Sequence, residues 1–491
     1  MPDLPSLENA RALERAWMRN QAHQTASPLD DTAKSIFCYA MRLAALRSIP
    51  FSGTTADLTD DLNSFRLKLI DLMDKCSVSG WKFPDDDRLH GIGTLAWEGN
   101  WLTASLKNVL PEVSGLLKTT LEQLFEHHPG LDVHTLQSVL AQKKLVLALG
   151  GGGGTGFVHL CLFQWLEELG IRPSLITGTS IGALLGYVRA MQEKYDAALT
   201  ILKLPGLWQL TRSLSPCFGT GKHGLIGMCR IDLSTVFCNV ARSFGWTISP
   251  SFNELKIPFG CVASGILLKT GIVETLETGS NPILSLLQLT KFSWNRAMLH
   301  AAHIASALTS HQAVIPVTFG FDPQTAPMST VDAISFSMLV PGVLNFELPK
   351  HHYKSQEILN NIFKRDHLYR LCDGGLASNV PVRAAVQAMQ SKIGHENAYI
   401  LGIDVFAPQP TDGIFFPLQQ IANANAIVDA TFADAFVRLK YLLSPMNLTP
   451  SLLHLKWLNA RFKKSFAPEM QIIEYAMKPL VPLTALNLNI F

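Results

Sequence analysis

The sequence predicts an α/β fold, a three-layer domain with a mainly parallel central sheet flanked by helical N- and C-terminal regions. Residues 1–140 contain patches with helical spacing of apolar residues, and helix-like patterns return after residue 410. Between them, short apolar runs alternate with amphipathic helical segments. Such alternation indicates parallel strands joined by crossover helices. The predicted regions are therefore a helical region at 1–140, an α/β domain at 141–410 and a helical region at 411–491.

Composition describes a globular chain and excludes several functional classes. The chain has 491 residues, of which 47% are hydrophobic and 16% charged. A formal net charge of +2 gives no basic excess for nucleic-acid binding. The eight cysteines form no Cys-x-x-Cys pair, and no Cys/His group has the spacing of a zinc site. We therefore expect no nucleic-acid partner, no metal and no cofactor.

No membrane span or leader is expected. The first residues mix charges and lack the apolar stretch of a secretory signal peptide. An uncharged run at 145–166 has the length of a membrane span, but its block of glycines favours a strand, a loop and a helix. The expected location is the cytoplasm or the periphery of a membrane, and export without a signal is left open.

The segment Gly178-Thr179-Ser180-Ile181-Gly182 is a Gly-x-Ser-x-Gly motif between a predicted strand and a predicted helix. In this context the serine lies in a tight strand-to-helix turn that requires glycine two residues to either side. The Ser180 hydroxyl then projects at the positive end of the next helix, which favours developing negative charge. Ser180 is the candidate nucleophile, and the alternative is a tight turn without chemistry.

A glycine-rich loop precedes the serine. Gly150–Gly154 form a run of five glycines, which follows a predicted strand and opens a helix. Glycines allow converging backbone N–H groups to bind an anion, and in acyl transfer that anion is the tetrahedral oxyanion. The glycines at 151, 153 and 156 also satisfy the dinucleotide fingerprint Gly-x-Gly-x-x-Gly. That alternative requires an acidic residue at the end of the second strand, but here the second strand runs into the serine turn.

An Asp-Gly-Gly motif supplies the candidate base. Asp373 is followed by Gly374 and Gly375, which allow a close approach of this loop to the serine. A serine hydroxyl is a weak nucleophile until a base takes its proton, and a partly buried carboxylate can do so. On its own, Asp-Gly-Gly is also an ordinary turn.

Together these motifs resemble the patatin-like phospholipase family, which orders a glycine-rich oxyanion loop, a Gly-x-Ser-x-Gly turn and an Asp-Gly-Gly motif in this way. The segments at 252–259, 333–343 and 379–382 also resemble the family's pattern, so the resemblance covers residues 143–410. It implies hydrolysis of fatty acyl esters of lipids through an acyl-enzyme, of the phospholipase A, lysophospholipase or acylglycerol lipase type. It implies Ser180 as nucleophile and Asp373 as general base, without a catalytic histidine.

The resemblance also assigns the glycines. The oxyanion hole is expected at Gly151, Gly152 and Gly153, and the glycines that complete the three motifs are Gly156, Gly178, Gly182, Gly374 and Gly375. Thr155 departs from the family's pattern, which has Arg or Lys at this place. The backbone donors survive this change, but a cation is lost, so neutral glycerides or lysolipids become better candidates than anionic phospholipids.

Two histidines carry further expectations. His159 lies on an apolar helix face, which favours a packed or supporting residue over a catalytic one. His395 follows Asp373 in the chain order of a Ser–Asp–His triad, but it lies in a polar stretch that is typical of an exposed loop. A triad is therefore the mechanistic alternative to the dyad.

Access to lipid is expected through amphipathic helices. Leu452, Leu455, Leu458, Phe462 and Phe466 share one face of a predicted helix that also carries basic residues. This apolar face either docks onto the core, which is its usual use, or lies on a membrane. Residues 292–308 form a second candidate. A family member without turnover, which binds a membrane or a partner, is the alternative function, and the need for a protein activator is left open.

Overall fold

The computed structural model describes residues 4–23, 29–51, 54–77, 101, 103–204, 214–216, 222–225, 227–246, 249–268, 302, 304–309, 312–408, 415–439, 443–445, 451–486 and 488. The chain divides into two compact units that do not follow chain order. One comprises residues 1–146, 389–400 and 464–491, and the other comprises residues 147–388 and 401–463. The boundaries of the three regions proposed from the sequence stay a prediction. The candidate segment at 292–308 lies largely outside the described residues.

The first unit is mainly helical around an apolar core. Trp17 lies at its centre, with ring centroids 5.1 Å from Phe37 and 5.8 Å from Trp101. Asp30 caps the second helix by accepting from the Ala33 N–H at 2.7 Å. The elements before residue 141 are α1 (Leu4–His23), α2 (Asp31–Ala45), β1 (Ser48–Phe51), β2 (Thr54–Asp57), α3 (Thr59–Lys75), α4 (Thr103–His127) and α5 (Val133–Leu140).

A sheet of seven strands forms the centre of the predicted α/β domain. Its order is β10-β7-β4-β3-β11-β12, with β8 paired to β7. The pairs β4–β7 and β11–β12 are parallel, whereas β8 and β10 run antiparallel to β7. The strands are β3 (Lys144–Leu149), β4 (Leu175–Thr179), β7 (Phe259–Leu267), β8 (Val314–Phe319), β10 (Leu368–Cys372), β11 (Ala398–Asp404) and β12 (Ala435–Arg438).

Helices accompany this sheet and complete the three-layer α/β fold that the sequence predicts. A second sheet has three strands, β5 (Leu214–Pro216), β6 (Gly227–Ile231) and β9 (Gly342–Asn345). The helices are α6 (Val158–Glu168), α7 (Ile181–Ala190), α8 (Ala197–Lys203), α9 (Leu233–Ser243), α10 (Thr330–Ser337), α11 (Tyr353–Arg365), α12 (Gly375–Ser378), α13 (Val382–Lys392), α14 (Phe416–Ala430) and α15 (Leu452–Met477).

Two predictions about apolar segments are confirmed. The uncharged run at 145–166 is the strand β3, the glycine loop and most of α6. On α15, four members of the predicted apolar face are buried, at 9% exposure or less, and only Leu452 is exposed. This face therefore docks onto the protein. In the part of the chain that the structure describes, no helix has the length and hydropathy needed to cross a membrane.

Candidate active site

Ser180 lies in a strained turn between β4 and α7. Its φ of 53° and ψ of −123° are unusual for a residue with a side chain, and such a backbone typically stores about 1–3 kcal/mol. A Cβ on Gly178 would lie 2.5 Å from the Gly182 carbonyl oxygen, and one on Gly182 would lie 2.3 Å from the Leu149 carbonyl oxygen. The glycines that flank the serine are therefore required by close backbone packing, as the motif predicts.

Strand pairing brings Ser180 and Asp373 together. Strand β4 pairs in parallel with the first half of β7 and ends with Thr179 opposite Val262. Strand β10 pairs in antiparallel with the second half of β7 and ends with Cys372 opposite Ser264. Since β8 occupies the other edge of β7, the two strands meet end to end on one edge. The residues that follow them are Ser180 and Asp373, and the Ser180 side chain lies close enough to lower the pKa of the Asp373 carboxyl.

The Asp373 carboxylate is held in a tight and partly buried turn. Its Oδ1 accepts from the Gly375 N–H at 2.8 Å, and its main-chain carbonyl accepts from the Ser264 hydroxyl at 2.7 Å. Burial raises the pKa of Asp373 from 3.8 to about 6, although the hydrogen bonds from Gly375 and Ser180 act in the opposite direction. A Cβ on Gly374 would lie 2.2 Å from the Val262 carbonyl oxygen. The Asp-Gly-Gly motif thus lets the loop lie directly against β7.

The glycine loop passes beside Ser180. A Cβ on Gly151 would lie 3.0 Å from the Ser180 Cβ, and the Gly151 N–H donates to the Asn379 carbonyl at 3.2 Å. Gly152 and Gly153 have φ values of 156° and 58°, which favour glycine. Among the residues that the structure describes, the N–H groups of these two glycines have no recorded acceptor, whereas the Gly154 N–H donates to the Pro445 carbonyl at 2.8 Å.

Two supporting residues were not assigned a site role from the sequence. The Ser180 N–H donates to Ser337 Oγ at 2.8 Å, and the Ser337 hydroxyl donates to the Val262 carbonyl at 2.5 Å. Asn379 holds the loop through the main-chain contact described above. Both residues lie in segments on which the family resemblance rests, at 333–343 and 379–382, so the sequence marks the segments but not the contacts.

His159 supports the glycine loop. Its Nε2 donates to the Gly150 carbonyl at 3.1 Å, and burial lowers the pKa of this imidazole to about 4. A neutral imidazole that donates through Nε2 is a fixed hydrogen-bond donor and not a titrating base. The expectation of a packed or supporting residue is therefore confirmed.

The alternatives drawn from the sequence find no support in the site. His395 is buried at 6% exposure, so its assignment to an exposed loop was wrong. Its Nδ1 accepts from the Asn397 N–H at 3.2 Å, and burial lowers its pKa to about 4. In the described ranges, no histidine is recorded in a hydrogen bond with Ser180 or Asp373. Strand β4 ends directly in the serine turn, so the acidic strand end of a dinucleotide site is missing.

Fold and site together define a class of α/β proteins in which a serine turn, a glycine loop and an Asp-Gly turn converge at the ends of two strands. Residues 147–386 match the family model described as patatin-like phospholipase. These residues therefore form a patatin-like phospholipase domain.

Curated relatives agree with this assignment over short stretches. The lysophospholipase NTE1 of Saccharomyces cerevisiae is 36% identical over 97 residues, covering 19% of this chain and 6% of the relative. The lysophospholipase nte1 of Emericella nidulans is 44% identical over 133 residues, covering 26% of this chain and 8% of the relative. The match thus spans less than a tenth of the length of these relatives.

Proposed function

We propose that the protein hydrolyses fatty acyl esters of lipids through a Ser180–Asp373 dyad. The observation that carries the proposal is the meeting of Ser180 and Asp373 at two facing strand ends, with the serine in a strained turn and the carboxylate at a pKa of about 6. A base with such a pKa is ionised at neutral pH and still takes up a proton readily.

In the proposed reaction the Asp373 carboxylate takes the Ser180 proton as Oγ attacks the acyl carbon. The carbonyl electrons move to the oxygen and return as the ester C–O bond breaks, and the leaving alcohol takes the proton from Asp373. Water then attacks the acyl-enzyme and gives a proton to Asp373, and that proton returns to Ser180 Oγ as the fatty acid leaves. No step requires a metal or a cofactor.

The oxyanion hole is proposed in the loop at Gly151–Gly153. The Gly152 and Gly153 N–H groups are its main donors, because the Gly151 N–H is engaged with Asn379. Gly151 allows the loop to approach the Ser180 Cβ closely. One such donor typically contributes a factor of about 10² to 10³ in rate.

Lysophospholipids are the proposed first substrate class. The similar fungal proteins are named lysophospholipases. In this chain an uncharged Thr155 stands where the family's pattern has Arg or Lys. A site without that cation has less means to favour a net anionic head group, which fits zwitterionic lysolipids or neutral glycerides.

The solvent-facing side of α15 is the proposed contact with an anionic lipid surface. Leu453 and Trp457 are 79% and 42% exposed, and the Arg461 guanidinium lies 4.6 Å from the Trp457 ring centroid. Residues 451–464 contain no Asp or Glu and include four Lys or Arg. Exposed apolar side chains beside basic ones fit a phospholipid surface. Six residues before this segment, the Pro445 carbonyl accepts from the Gly154 N–H of the glycine loop.

The proposal is tested with purified wild type, Ser180→Ala, Asp373→Asn and a control, Ser243→Ala, at an exposed serine. Hydrolysis of lysophosphatidylcholine and of a short chromogenic ester is measured, and a fluorophosphonate label is located by mass spectrometry. We expect label on Ser180 and loss of at least about 10³-fold in both site variants, with the control unchanged. If the folded wild type takes up no fluorophosphonate label and hydrolyses neither ester in the presence of vesicles, the result points instead to a binding protein without turnover.

A further inference from the structure

Thr155, which stands where the family's pattern has Arg or Lys, makes a hydrogen bond within the glycine loop. Its side chain is buried at 4% exposure, and its hydroxyl donates to the Gly152 carbonyl at 2.8 Å. Thr155 lies in the short 3-10 turn Gly153–Phe157 that links the glycine loop to α6. This contact between the hydroxyl and the loop does not depend on a charge.

The hydrogen bond controls the direction of one peptide plane. The Gly152 carbonyl and the Gly153 N–H belong to the same peptide, and no peptide bond in the described chain is cis. In a trans peptide these two groups point in opposite directions. The Thr155 hydroxyl, by holding the carbonyl on one side, therefore directs the Gly153 N–H to the other side.

The peptide between Gly152 and Gly153 lies between two parts of the loop that other residues hold. The peptide before Gly151 is held at both ends, by His159 on its carbonyl and by Asn379 on its N–H. The Gly154 N–H is held by Pro445. Gly152 and Gly153 have no Cβ to restrict their backbone, and the Thr155 hydroxyl makes the one recorded side-chain bond to their shared peptide among the described residues.

We propose that Thr155 is a positioning residue that preorganises the oxyanion hole by holding the Gly153 N–H toward the acyl oxygen. The inference rests on the proposed function, since it assigns a role within that same site. Preorganised donors stabilise the transition state because they need no reorientation when the charge develops. The loop thus uses a neutral hydroxyl at the place where the family's pattern has a cation.

The test uses three substitutions that separate hydrogen bonding from packing. Thr155→Val keeps the shape and loses the donor, Thr155→Ala loses both, and Thr155→Ser keeps the donor. Thr120→Val is the matched control, because Thr120 is also 4% exposed and its hydroxyl donates to the Leu116 carbonyl at 2.8 Å in α4. Each protein is assayed with a short soluble ester, and its thermal unfolding is recorded.

The positioning role predicts that the valine and alanine variants lose about 10- to 100-fold in kcat with KM changed by less than about threefold. The serine variant and the Thr120 control are expected within about threefold of wild type. A trifluoromethyl ketone, which forms an oxyanion with Ser180, is expected to bind the valine variant more weakly by the same factor as kcat falls. A matching analogue without the reactive carbonyl is expected to bind unchanged.

Two other outcomes overturn the inference. A valine variant with wild-type kcat shows that the hydroxyl is not needed. A serine variant as slow as valine shows that the hydroxyl alone does not preserve the rate. If the valine variant does not fold, the comparison of alanine with serine decides in the same way. If the wild type shows no Ser180-dependent hydrolysis, the proposed function is overturned and the Thr155 role with it. If the wild type hydrolyses esters but the variants behave as described above, only the Thr155 role is overturned.

Discussion

Replacing Asp373 by asparagine is expected to abolish hydrolysis and, above about pH 6, to stabilise the folded protein. Both effects have the same origin. In the proposed dyad the carboxylate acts as the base, but it ionises in a site where burial disfavours its charge, so its pKa is raised to about 6. Asparagine keeps an oxygen that can accept from the Gly375 N–H, and it removes the buried charge.

The magnitude follows from the difference in pKa. The ordinary aspartate value is 3.8 and the folded value is about 6, and at about 1.4 kcal/mol per pH unit the difference corresponds to roughly 3 kcal/mol. Because the folded pKa is the higher one, the folded state binds more protons between these values. Stability contributed by the protonated group is therefore present at low pH and lost as pH rises through about 6. Above that pH the wild type carries the full cost and the variant does not.

Urea denaturation at about pH 4 and about pH 8 measures this effect. The free energy of unfolding of Asp373→Asn, relative to wild type, is expected to rise by roughly 2–3 kcal/mol between the two pH values. Asp196→Asn is the control, because Asp196 is an exposed N-cap that accepts from the Leu199 N–H and asparagine caps equally well. In wild type, kcat/KM for a soluble ester is expected to reach half of its plateau near pH 6.

Two results would refute this reasoning. One is a half-maximal pH near 4, which would show that the base ionises like an exposed carboxylate. The other is an Asp373→Asn variant that is less stable than wild type at about pH 8. In that case the ionised carboxylate would stabilise the loop through the Gly375 and Ser180 contacts by more than its burial disfavours it.

Two further predictions concern the support of the serine and the lipid surface. Ser337→Ala leaves the Ser180 N–H without its acceptor, so we expect a loss of about 1–3 kcal/mol in unfolding free energy and about tenfold in kcat, measured by denaturation and ester kinetics. Ser335→Ala, whose hydroxyl bonds within α10, is expected to leave kcat unchanged. Replacing Leu453 by serine and Trp457 by alanine is expected to reduce binding to anionic vesicles at least about tenfold, while soluble-ester hydrolysis stays unchanged. Equal vesicle binding by wild type and this double variant would contradict the surface assignment.

The sequence predicts those parts of the site that depend on local backbone geometry. A serine between glycines and an aspartate before glycines encode tight turns, and both turns are present as predicted, at Ser180 and at Asp373. Contacts between distant parts of the chain leave no such local pattern. Pro445 meets the glycine loop across almost 300 residues, and Ser337 reaches Ser180 across 157. Neither partner could be assigned from spacing alone.

The error at His395 has a similar physical cause. Its neighbours Gly394, Glu396 and Asn397 make the stretch polar, which is typical of an exposed loop. In the folded chain Glu396 pairs with Arg11, and the Asn397 side chain donates to the Val139 carbonyl at 2.7 Å. Polar residues with such partners are buried at little cost, and a sequence does not reveal partners that lie hundreds of residues away.

In the proposed dyad, the sheet supplies the reason why an aspartate acts without a histidine. Strands β4 and β10 end on the same edge of β7, opposite Val262 and Ser264, so Ser180 and Asp373 follow two strand ends that face each other. We therefore expect the aspartate to act on the serine hydroxyl without an imidazole between them. The imidazole of a histidine has an ordinary pKa of about 6.5. Burial brings the pKa of Asp373 to about 6. The pKa of this carboxyl is therefore close to the ordinary pKa of a histidine side chain.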